Sequence, residues 1–193
     1  MTEKTTRAKI LAAMYDLVAE KGYDKTSIGQ LAEAIGIQKP SIYYYFKSKE
    51  DIFLQLVAQL YAEDFGTRSA LLDPDLPPED YRQELLSTGE AFIDSYFQHQ
   101  TLRKVYAEID LQSTRIPSLK DFIGESDRRF NAFLLRCIQR GVTMGAFPPD
   151  LDVPLTAQIL YTTLVGIDQA ILYDLPVNPQ AVWRGVVSRL FLQ

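Results

Sequence analysis

The chain of 193 residues is poor in the side chains that most catalytic and metal sites require. It contains one cysteine, Cys137, and one histidine, His99. A single cysteine excludes an intrachain disulfide and a cysteine-rich zinc site. No local spacing supplies His99 with a partner for metal binding or acid–base chemistry. The sequence also lacks a nucleophile–base set and a glycine-rich phosphate loop, so we expect no enzyme activity, no catalytic or metal site and no cofactor.

Long apolar runs are also missing. The N-terminus has no apolar run of signal-peptide length, and no stretch approaches 18 uncharged apolar residues. The hydrophobic fraction of 47% and the charged fraction of 23% are those of a soluble globular protein. These features predict a cytoplasmic protein that does not associate with a membrane.

Charge is distributed unevenly along the chain. The formal net charge is −5, but residues 1–50 hold 8 Lys/Arg and 6 Asp/Glu, whereas residues 51–193 hold 12 and 19. The first segment is therefore weakly basic and the remainder is acidic. Because affinity for nucleic acid depends on local neutralisation of phosphates, a modest basic face can serve if a dimer doubles it.

Residues 26–36 have the pattern of a short helix. Ser27 and Gln30 have the spacing of a capping box, in which each side chain satisfies an amide of the first turn. Gly36 follows the last periodic residue, where a left-handed residue ends a helix at little cost. Apolar residues recur at helical spacing and predict one buried face: Ile28, Leu31, Ala32 and Ile35.

Residues 38–49 predict a second short helix with an unusual surface. Pro40 suits the first turn, and Ile42 and Phe46 form the predicted buried stripe. The three consecutive tyrosines at 43–45 cannot all face one core, because neighbours on a helix are about 100° apart. An exposed helix that carries hydroxyl groups and is flanked by lysines suits a groove lined with phosphates. A helix-turn-helix places its second helix in the DNA major groove in this way.

Here the sequence resembles the DNA-binding domain of TetR-family transcriptional regulators, from about Glu3 to about Asp64. The resemblance covers about a third of the chain and follows an ordered set of motifs: Lys21-Gly22-Tyr23, Thr26-Ser27, Ala34-Ile35-Gly36-Ile37, and Ile42-Tyr43-Tyr44-Tyr45-Phe46-Lys47-Ser48-Lys49-Glu50. It implies contacts to bases and phosphates from the following residues: Ser27, Gln38, Lys39, Ser41, Tyr43, Tyr44, Tyr45 and Lys49. The alternative is a helical hairpin buried in an unrelated bundle.

Two residues depart from the family pattern. Gln38 stands where the family usually has Ser or Thr, and Gln caps a helix poorly. Gly29 replaces a longer, often charged residue, so a contact to the DNA backbone is in doubt. Neither departure affects the predicted fold, but both make the base preference of other family members a poorer guide to that of this protein.

The whole chain predicts an all-α protein of about nine helices. Residues 4–64 would form the DNA-binding domain, with the helix-turn-helix at 27–46, and residues 65–193 a larger domain for effector binding and dimerisation. A fourth helix, opened by Ser48, would link them. The remaining helices are expected at about 78–98, 102–111, from a Ser118 cap to Gly141 and the turn at 145–149, 153–173 and 179–192, with a proline-rich break at 73–80.

The last two helices are apolar enough to need cover from both sides. We expect them to pack on the core and on a second copy of the chain, and the resemblance implies the same four-helix arrangement between two subunits. The candidate interface residues are Leu160, Leu164, Ile167, Ile171, Val182, Trp183 and Val186.

Aromatic residues of the middle helices are candidates for an effector pocket: Phe92, Tyr96, Tyr106, Phe130, Phe133 and Tyr161. Ordinary core packing is the alternative for each of them. A carboxylate site made by Asp94, Glu108 and Asp110 competes with a solvated helix face, and an inert buried thiol is expected at Cys137.

The predicted function is therefore a homodimeric repressor that binds a palindromic double-stranded DNA operator and is released by a small, largely apolar effector. The alternative is a structural or protein-interaction factor that binds DNA on the same fold without a small-molecule effector.

Overall fold

The computed structural model describes residues 5–66, 71, 73 and 75–191, and it omits the side chains of 63–66, 96–98 and 191. The described residues form nine helices and no strand, which confirms the predicted all-α class. The helices are α1 (Thr6–Lys21), α2 (Ile28–Ala34), α3 (Lys39–Ile42), α4 (Lys49–Gly66), α5 (Pro78–Gln98), α6 (Gln100–Ser113), α7 (Pro117–Thr143), α8 (Val153–Leu172) and α9 (Pro179–Phe191).

The chain divides into two compact units. The first contains Met1–Glu63 and Gln100–Ile123, and the second contains Asp64–His99 and Gly124–Gln193. The first unit thus takes in α6 and the start of α7, which the sequence had placed in the second domain. The reason is packing, because four apolar side chains from that segment join the hydrophobic core of the helix-turn-helix: Val105, Ile109, Ile116 and Leu119.

Local capping explains where the helices of the first unit begin. The Thr5 side chain accepts a hydrogen bond from the Ala8 amide at 3.4 Å. The predicted capping box of α2 is present, with Ser27 N donating to Gln30 Oε1 at 3.0 Å and Gln30 N donating to Ser27 Oγ at 3.3 Å. Ser48 Oγ likewise accepts from the Asp51 amide at 3.0 Å at the start of α4.

Two predicted helix signals of α7 have other roles. The helix begins at Pro117, and Ser118 donates its hydroxyl to Glu50 Oε1 at 2.8 Å instead of capping it. Gly141 does not end the helix, which continues to Thr143. A Cβ at Gly141 would lie 2.1 Å from Phe147 Cε2, so this glycine makes room for a buried ring.

The core of the second unit is built around two buried aromatic side chains with satisfied polar groups. Tyr81 is fully buried and donates its hydroxyl to the Cys137 carbonyl at 2.8 Å. Trp183 is 1% exposed, and its Nε1 donates to the Leu86 carbonyl at 2.9 Å. Both bonds remove the cost of burying a polar atom without a partner.

Among the described helices, α8 has the length and apolar composition that could cross a membrane. Core helices of soluble proteins pass the same test, and seven α8 side chains are buried within the second unit: Thr156, Ala157, Leu160, Leu164, Ile167, Ala170 and Ile171. The composition of α8 is therefore accounted for in part by the packing of this unit.

Candidate DNA-binding site

Helices α2 and α3 are held together by a tight turn and a small apolar core. Gly36 adopts φ = 72°, and the Ile37 amide donates to the Ala32 carbonyl at 3.0 Å. Leu31 and Ile42 are fully buried, and Phe46 is 2% exposed. The predicted inward face is therefore the observed one, and the opposite face of α3 is left outside the core.

The regular part of α3 is shorter than a recognition helix running to residue 46. It ends at Ile42, after which the amides of Tyr43 and Tyr45 donate to carbonyls three residues back, Pro40 at 3.2 Å and Ile42 at 2.9 Å. These bonds form a 3₁₀-type turn, which is common at helix ends. The turn gives the tyrosines a different orientation from the one they would have on a continuous α-helix. The N-cap residue, Gln38, makes no side-chain cap hydrogen bond, as its poor capping propensity predicts.

The three tyrosines all lie outside the core. The exposed fractions are 52% for Tyr43, 87% for Tyr44 and 44% for Tyr45. Gln38 and Lys39 are exposed beside them, and Ser41 is half-buried. The arrangement offers planar rings, hydroxyls, one amide and one ammonium group on a single short segment, which can form both apolar and hydrogen-bonding contacts.

Lys49 is less available than its position in the sequence suggests. Its Nζ donates to the Tyr23 carbonyl at 3.1 Å and lies 4.1 Å from the centre of the Tyr23 ring. Burial, followed by the nearby Glu50 and Asp24 charges, raises the pKa of Tyr23 to about 12, so this ring is neutral near pH 7. The ammonium thus joins the start of α4 to the end of α1, and its predicted phosphate contact would use the remaining N–H groups.

The sequence reasoning missed Arg7. Its guanidinium stacks 5.4 Å from the centre of the Phe46 ring and donates to the Gln55 side chain. It is exposed on α1 and adds a cation to the surface next to residues 38–46, the recognition segment. Its position near the chain start gave no signal, because the partners lie 39 and 48 residues further along.

The second unit contains a small apolar cavity. Three of the predicted pocket residues, Phe92, Phe130 and Phe133, line it, and its volume is about 20 Å³. Tyr161 lies beside Phe130, with their ring centres 6.0 Å apart. The other lining residues are Leu71, Leu85, Thr88, Gly89, Leu134, Leu164 and Trp183.

Two predicted pocket residues are not part of that lining. Tyr106 belongs to the first unit, where its ring packs 6.1 Å from Tyr61. The sequence placed it with the others because helix periodicity does not show which core an aromatic residue joins. The side chain of Tyr96 lies outside the described residues.

Most of the predicted interface residues are buried inside their own subunit. Leu160 is 0% exposed and Trp183 is 1% exposed. Leu164, Ile167 and Ile171 are buried too, whereas Val182 is 39% exposed and Val186 is half-buried. A side chain that its own fold already covers has little area left for a partner. The interface at α8 and α9 stays a prediction, and the exposed positions of these helices are the ones with most area available to a partner.

Two of the remaining polar candidates bond to neighbours within their own unit. Glu108 accepts from Gln112 Nε2 at 2.9 Å in the first unit, and Asp94 accepts from Gln180 in the second. Burial raises the pKa of Cys137 to about 12, so its thiol is protonated near pH 7. Within the described residues, no group of three His, Cys, Asp or Glu side chains is placed to hold a metal ion.

A short helix with an outward face, fixed on a second helix by a tight turn, is the arrangement that enters the DNA major groove. Its surface carries hydroxyl, amide and ammonium groups that suit phosphate and base contacts. The fold and this surface define a DNA-binding transcriptional regulator of the helix-turn-helix class.

Residues 10–56 match the family model described as bacterial regulatory proteins, tetR family. The chain is 25% identical over 187 residues to the fatty acid metabolism regulator protein of Bacillus subtilis, covering 93% of each protein. It is 24% identical over 157 residues to the transcriptional repressor KstR2 of Mycolicibacterium smegmatis, covering 81% of this chain and 75% of that protein. Residues 10–56 therefore carry the sequence pattern of the TetR family, and the chain as a whole is similar to transcriptional regulators.

The fold agrees with this assignment. It is similar to that of the transcriptional regulator FadR from Bacillus subtilis, solved in complex with stearoyl-CoA. The TM-score is 0.71 at 21% identity, with 95% of this chain and 96% of that chain covered. The similarity extends well beyond residues 10–56, so the second unit also has the architecture of these regulators.

Proposed function

We propose that the chain is a homodimeric repressor that binds an operator of approximate two-fold symmetry and releases it when a small, largely apolar effector binds. The observation that carries the proposal is the outward position of Tyr43–Tyr45 on a helix-turn-helix whose opposite face is buried. In a dimer, each recognition segment would enter one major groove. The half-sites would lie roughly 34–36 Å apart, or a near multiple of that distance.

An apolar effector suits the lining of the second unit. The lining is aliphatic and aromatic except for Thr88, so it offers few partners to a charged group. Two comparisons support an apolar effector. A relative is named for fatty acid metabolism, and a solved regulator of this fold holds stearoyl-CoA. At about 20 Å³ the cavity accommodates about one water molecule, so binding a larger molecule would require the lining side chains to rotate.

A second copy of the chain would pack on the exposed faces of α8 and α9. Leu155 and Val165 on α8 are 52% and 40% exposed, and Val182 on α9 is 39% exposed. A Cβ at Gly166 or Gly185 would meet no atom within 4 Å, so another helix could approach closely at both positions. Burying this apolar surface is the predicted driving force for dimerisation.

Release of the operator DNA on effector binding would follow from thermodynamic linkage. If the effector prefers a dimer whose recognition segments are spaced too widely for the operator, effector and DNA weaken each other by the same factor. Helix α4 joins the recognition segment to the second unit along the chain, which makes it the proposed link. The protein would act in the cytoplasm, without enzyme activity and without a membrane.

The test is binding of purified protein to fragments of its own genome, followed by titration of a selected fragment at several salt concentrations. Tyr43→Ala and Lys39→Ala should weaken binding, and Lys39→Ala should also reduce the salt dependence because it removes a phosphate contact. Lys120→Ala, at an exposed lysine of α7, is the matched control. Wild-type affinity in folded Tyr43→Ala and Lys39→Ala proteins would disprove the assignment of this surface.

The small size of the cavity favours one other function, a DNA-binding factor without a small effector. A panel of fatty acids, acyl-CoA thioesters and apolar aromatic compounds distinguishes the two. A compound that raises the melting temperature and lowers DNA affinity supports the repressor, whereas no response from any compound supports the factor without an effector.

A further inference from the structure

We infer that the recognition segment reads adenine and thymine, with Gln38 pairing with an adenine and the Tyr44 ring contacting a thymine methyl group. This inference rests on the proposed function and specifies the chemistry of the DNA partner. It starts from the side chains that the fold leaves exposed on α3 and in the turn that follows.

The recognition segment has little capacity to read guanine. Guanine is usually read by arginine or lysine, which donate two hydrogen bonds to O6 and N7. Residues 26–50 contain no arginine, and Lys39 is the only cation between Gln38 and Phe46. Two further lysines follow, Lys47 and Lys49. The Lys49 ammonium donates to the Tyr23 carbonyl and lies over the Tyr23 ring. A guanine contact is therefore restricted to Lys39, to Lys47 or to a cation outside residues 26–50.

The Gln38 amide is uncommitted and stands at the end of α3 that contacts base edges. It is the N-cap residue, it is exposed, and it makes no cap hydrogen bond. The N-terminal residues of a recognition helix are the ones that reach the bases. A glutamine amide matches adenine because it accepts from N6 and donates to N7 at the same time. Against guanine, its carbonyl would face the O6 acceptor, and one of the two bonds would be lost.

Tyr44 supplies the apolar half of the readout. At 87% exposed it is the most exposed large hydrophobic side chain in the described structure, and it follows the last regular turn of α3. A ring in the major groove gains by covering the thymine C5 methyl, which is the apolar group that distinguishes thymine there. Its two neighbours, Tyr43 and Tyr45, are about half as exposed and suit contacts to the sugar–phosphate backbone.

The experiment begins with selection of the preferred half-site from random DNA by wild-type protein. Each thymine of that site is then replaced by uracil, which removes only the methyl group, and each adenine by 7-deazaadenine, which removes only N7. At one position, uracil should weaken wild-type binding about fourfold, the value of one buried methyl group. At another, 7-deazaadenine should weaken it at least about twofold, the lower range for half of a bidentate contact.

Protein variants connect each effect to one side chain. The uracil effect should disappear in Tyr44→Ala and persist in Gln38→Ala, and the 7-deazaadenine effect should show the opposite pattern. Tyr44→Phe should keep the uracil effect, because the ring and not the hydroxyl covers the methyl group. Both positions are exposed, so circular dichroism should show unchanged folding, and the modified DNA tests the wild-type protein directly.

The outcomes separate this inference from the proposed function. A selected half-site of guanine and cytosine, or analogue effects that are unchanged in both variants, would overturn the readout while leaving the regulator intact. Failure of the wild-type protein to bind any DNA would instead overturn the proposed function itself.

Discussion

At the scale of single residues, the second unit depends on a glycine that admits a large ring. A Cβ at Gly89 would lie 2.1 Å from Trp183 Cε2 and 2.3 Å from Nε1. The ring cannot move away freely, because its Nε1 is bonded to the Leu86 carbonyl and the side chain is 1% exposed. The helix α5 and the helix α9 are therefore packed as closely as their backbones and this ring permit.

Gly89→Ala should destabilise the protein by about 1–3 kcal/mol through overpacking, although alanine is the better helix former. The measurement is urea unfolding followed by circular dichroism. Gly124→Ala is the control, because the nearest atom to its Cβ is the end of the flexible Arg128 side chain at 3.7 Å. The control should be neutral or stabilising by up to about 1 kcal/mol, and equal effects at the two glycines would contradict the packing argument.

Cys137 gives a second prediction at this scale. Burial is the main cause that raises its pKa from 9.0 to about 12. A pKa that is higher in the folded state contributes stability that is fully present below pH 9 and is lost as the pH rises towards 12.

Wild-type protein should therefore lose stability more steeply than Cys137→Ala between pH 9 and pH 12, by at most about 1.4 kcal/mol per pH unit. Urea unfolding of both proteins across this range gives the difference. The raised pKa of Tyr81 is due mainly to burial but in part to Cys137, so the comparison is repeated with Tyr81→Phe in both proteins to remove the tyrosine contribution. Parallel pH profiles for the two proteins would show that the thiol is not the group responsible.

At the scale of helices, the sequence allowed prediction of the parts that local rules control. The capping box of α2 and the glycine turn before α3 depend on residues within four positions of one another, and both are observed. The early end of α3 was not predicted. The sequence left core packing and an interface position open for Trp183, because its hydrogen-bond partner, Leu86, lies 97 residues away. The cation stack of Arg7 on Phe46 was missed for the same reason.

Helix α6 packs on α1 through another glycine, and this contact can be measured. Gly22 has φ = 83°, and a Cβ there would lie 3.1 Å from Glu108 Oε2. Gly36 has φ = 72° with no atom within 4 Å of the corresponding point. Substitution by alanine places a Cβ on a positive-φ backbone at both sites. Gly22, with ψ = 164°, lies in a region that glycine almost alone adopts, and it also faces a neighbour.

Gly22→Ala should thus cost more than Gly36→Ala, for which we expect about 1 kcal/mol from the backbone alone. Glu108→Ala should remove part of the excess in a double-variant cycle, with a coupling energy of at least about 0.5 kcal/mol. Chemical denaturation of the four proteins supplies the values. Additive effects at positions 22 and 108 would mean that the carboxylate does not restrict the end of α1.

At the scale of the whole molecule, the charge pattern and the predicted dimer belong together. The chain carries a net charge of −5, and the excess of basic residues is confined to the first 50 positions. One copy offers a small number of cations to DNA, whereas two copies on one operator double the phosphate contacts. Loss of the dimer should consequently reduce DNA affinity even when each subunit is folded.

Val165→Asp tests this dependence. The side chain is 40% exposed on α8 next to the open position at Gly166, so aspartate there leaves the subunit core intact. In a dimer it would place two buried charges at the interface without partners, which is strongly unfavourable. Analytical ultracentrifugation should show a monomer at micromolar concentration. Binding to a two-half-site operator should fall at least tenfold, because the second subunit is no longer held at a high effective concentration.

The matched control is Leu111→Asp, which introduces the same charge at a leucine of α6 that is 46% exposed in the first unit. It should remain dimeric and bind the operator as the wild type does. Binding of a single half-site should be similar for all three proteins, since the recognition segment is unchanged. A Val165→Asp protein that stays dimeric with wild-type affinity would require the partner subunit to pack elsewhere, whereas a monomer with full affinity would separate DNA recognition from dimerisation.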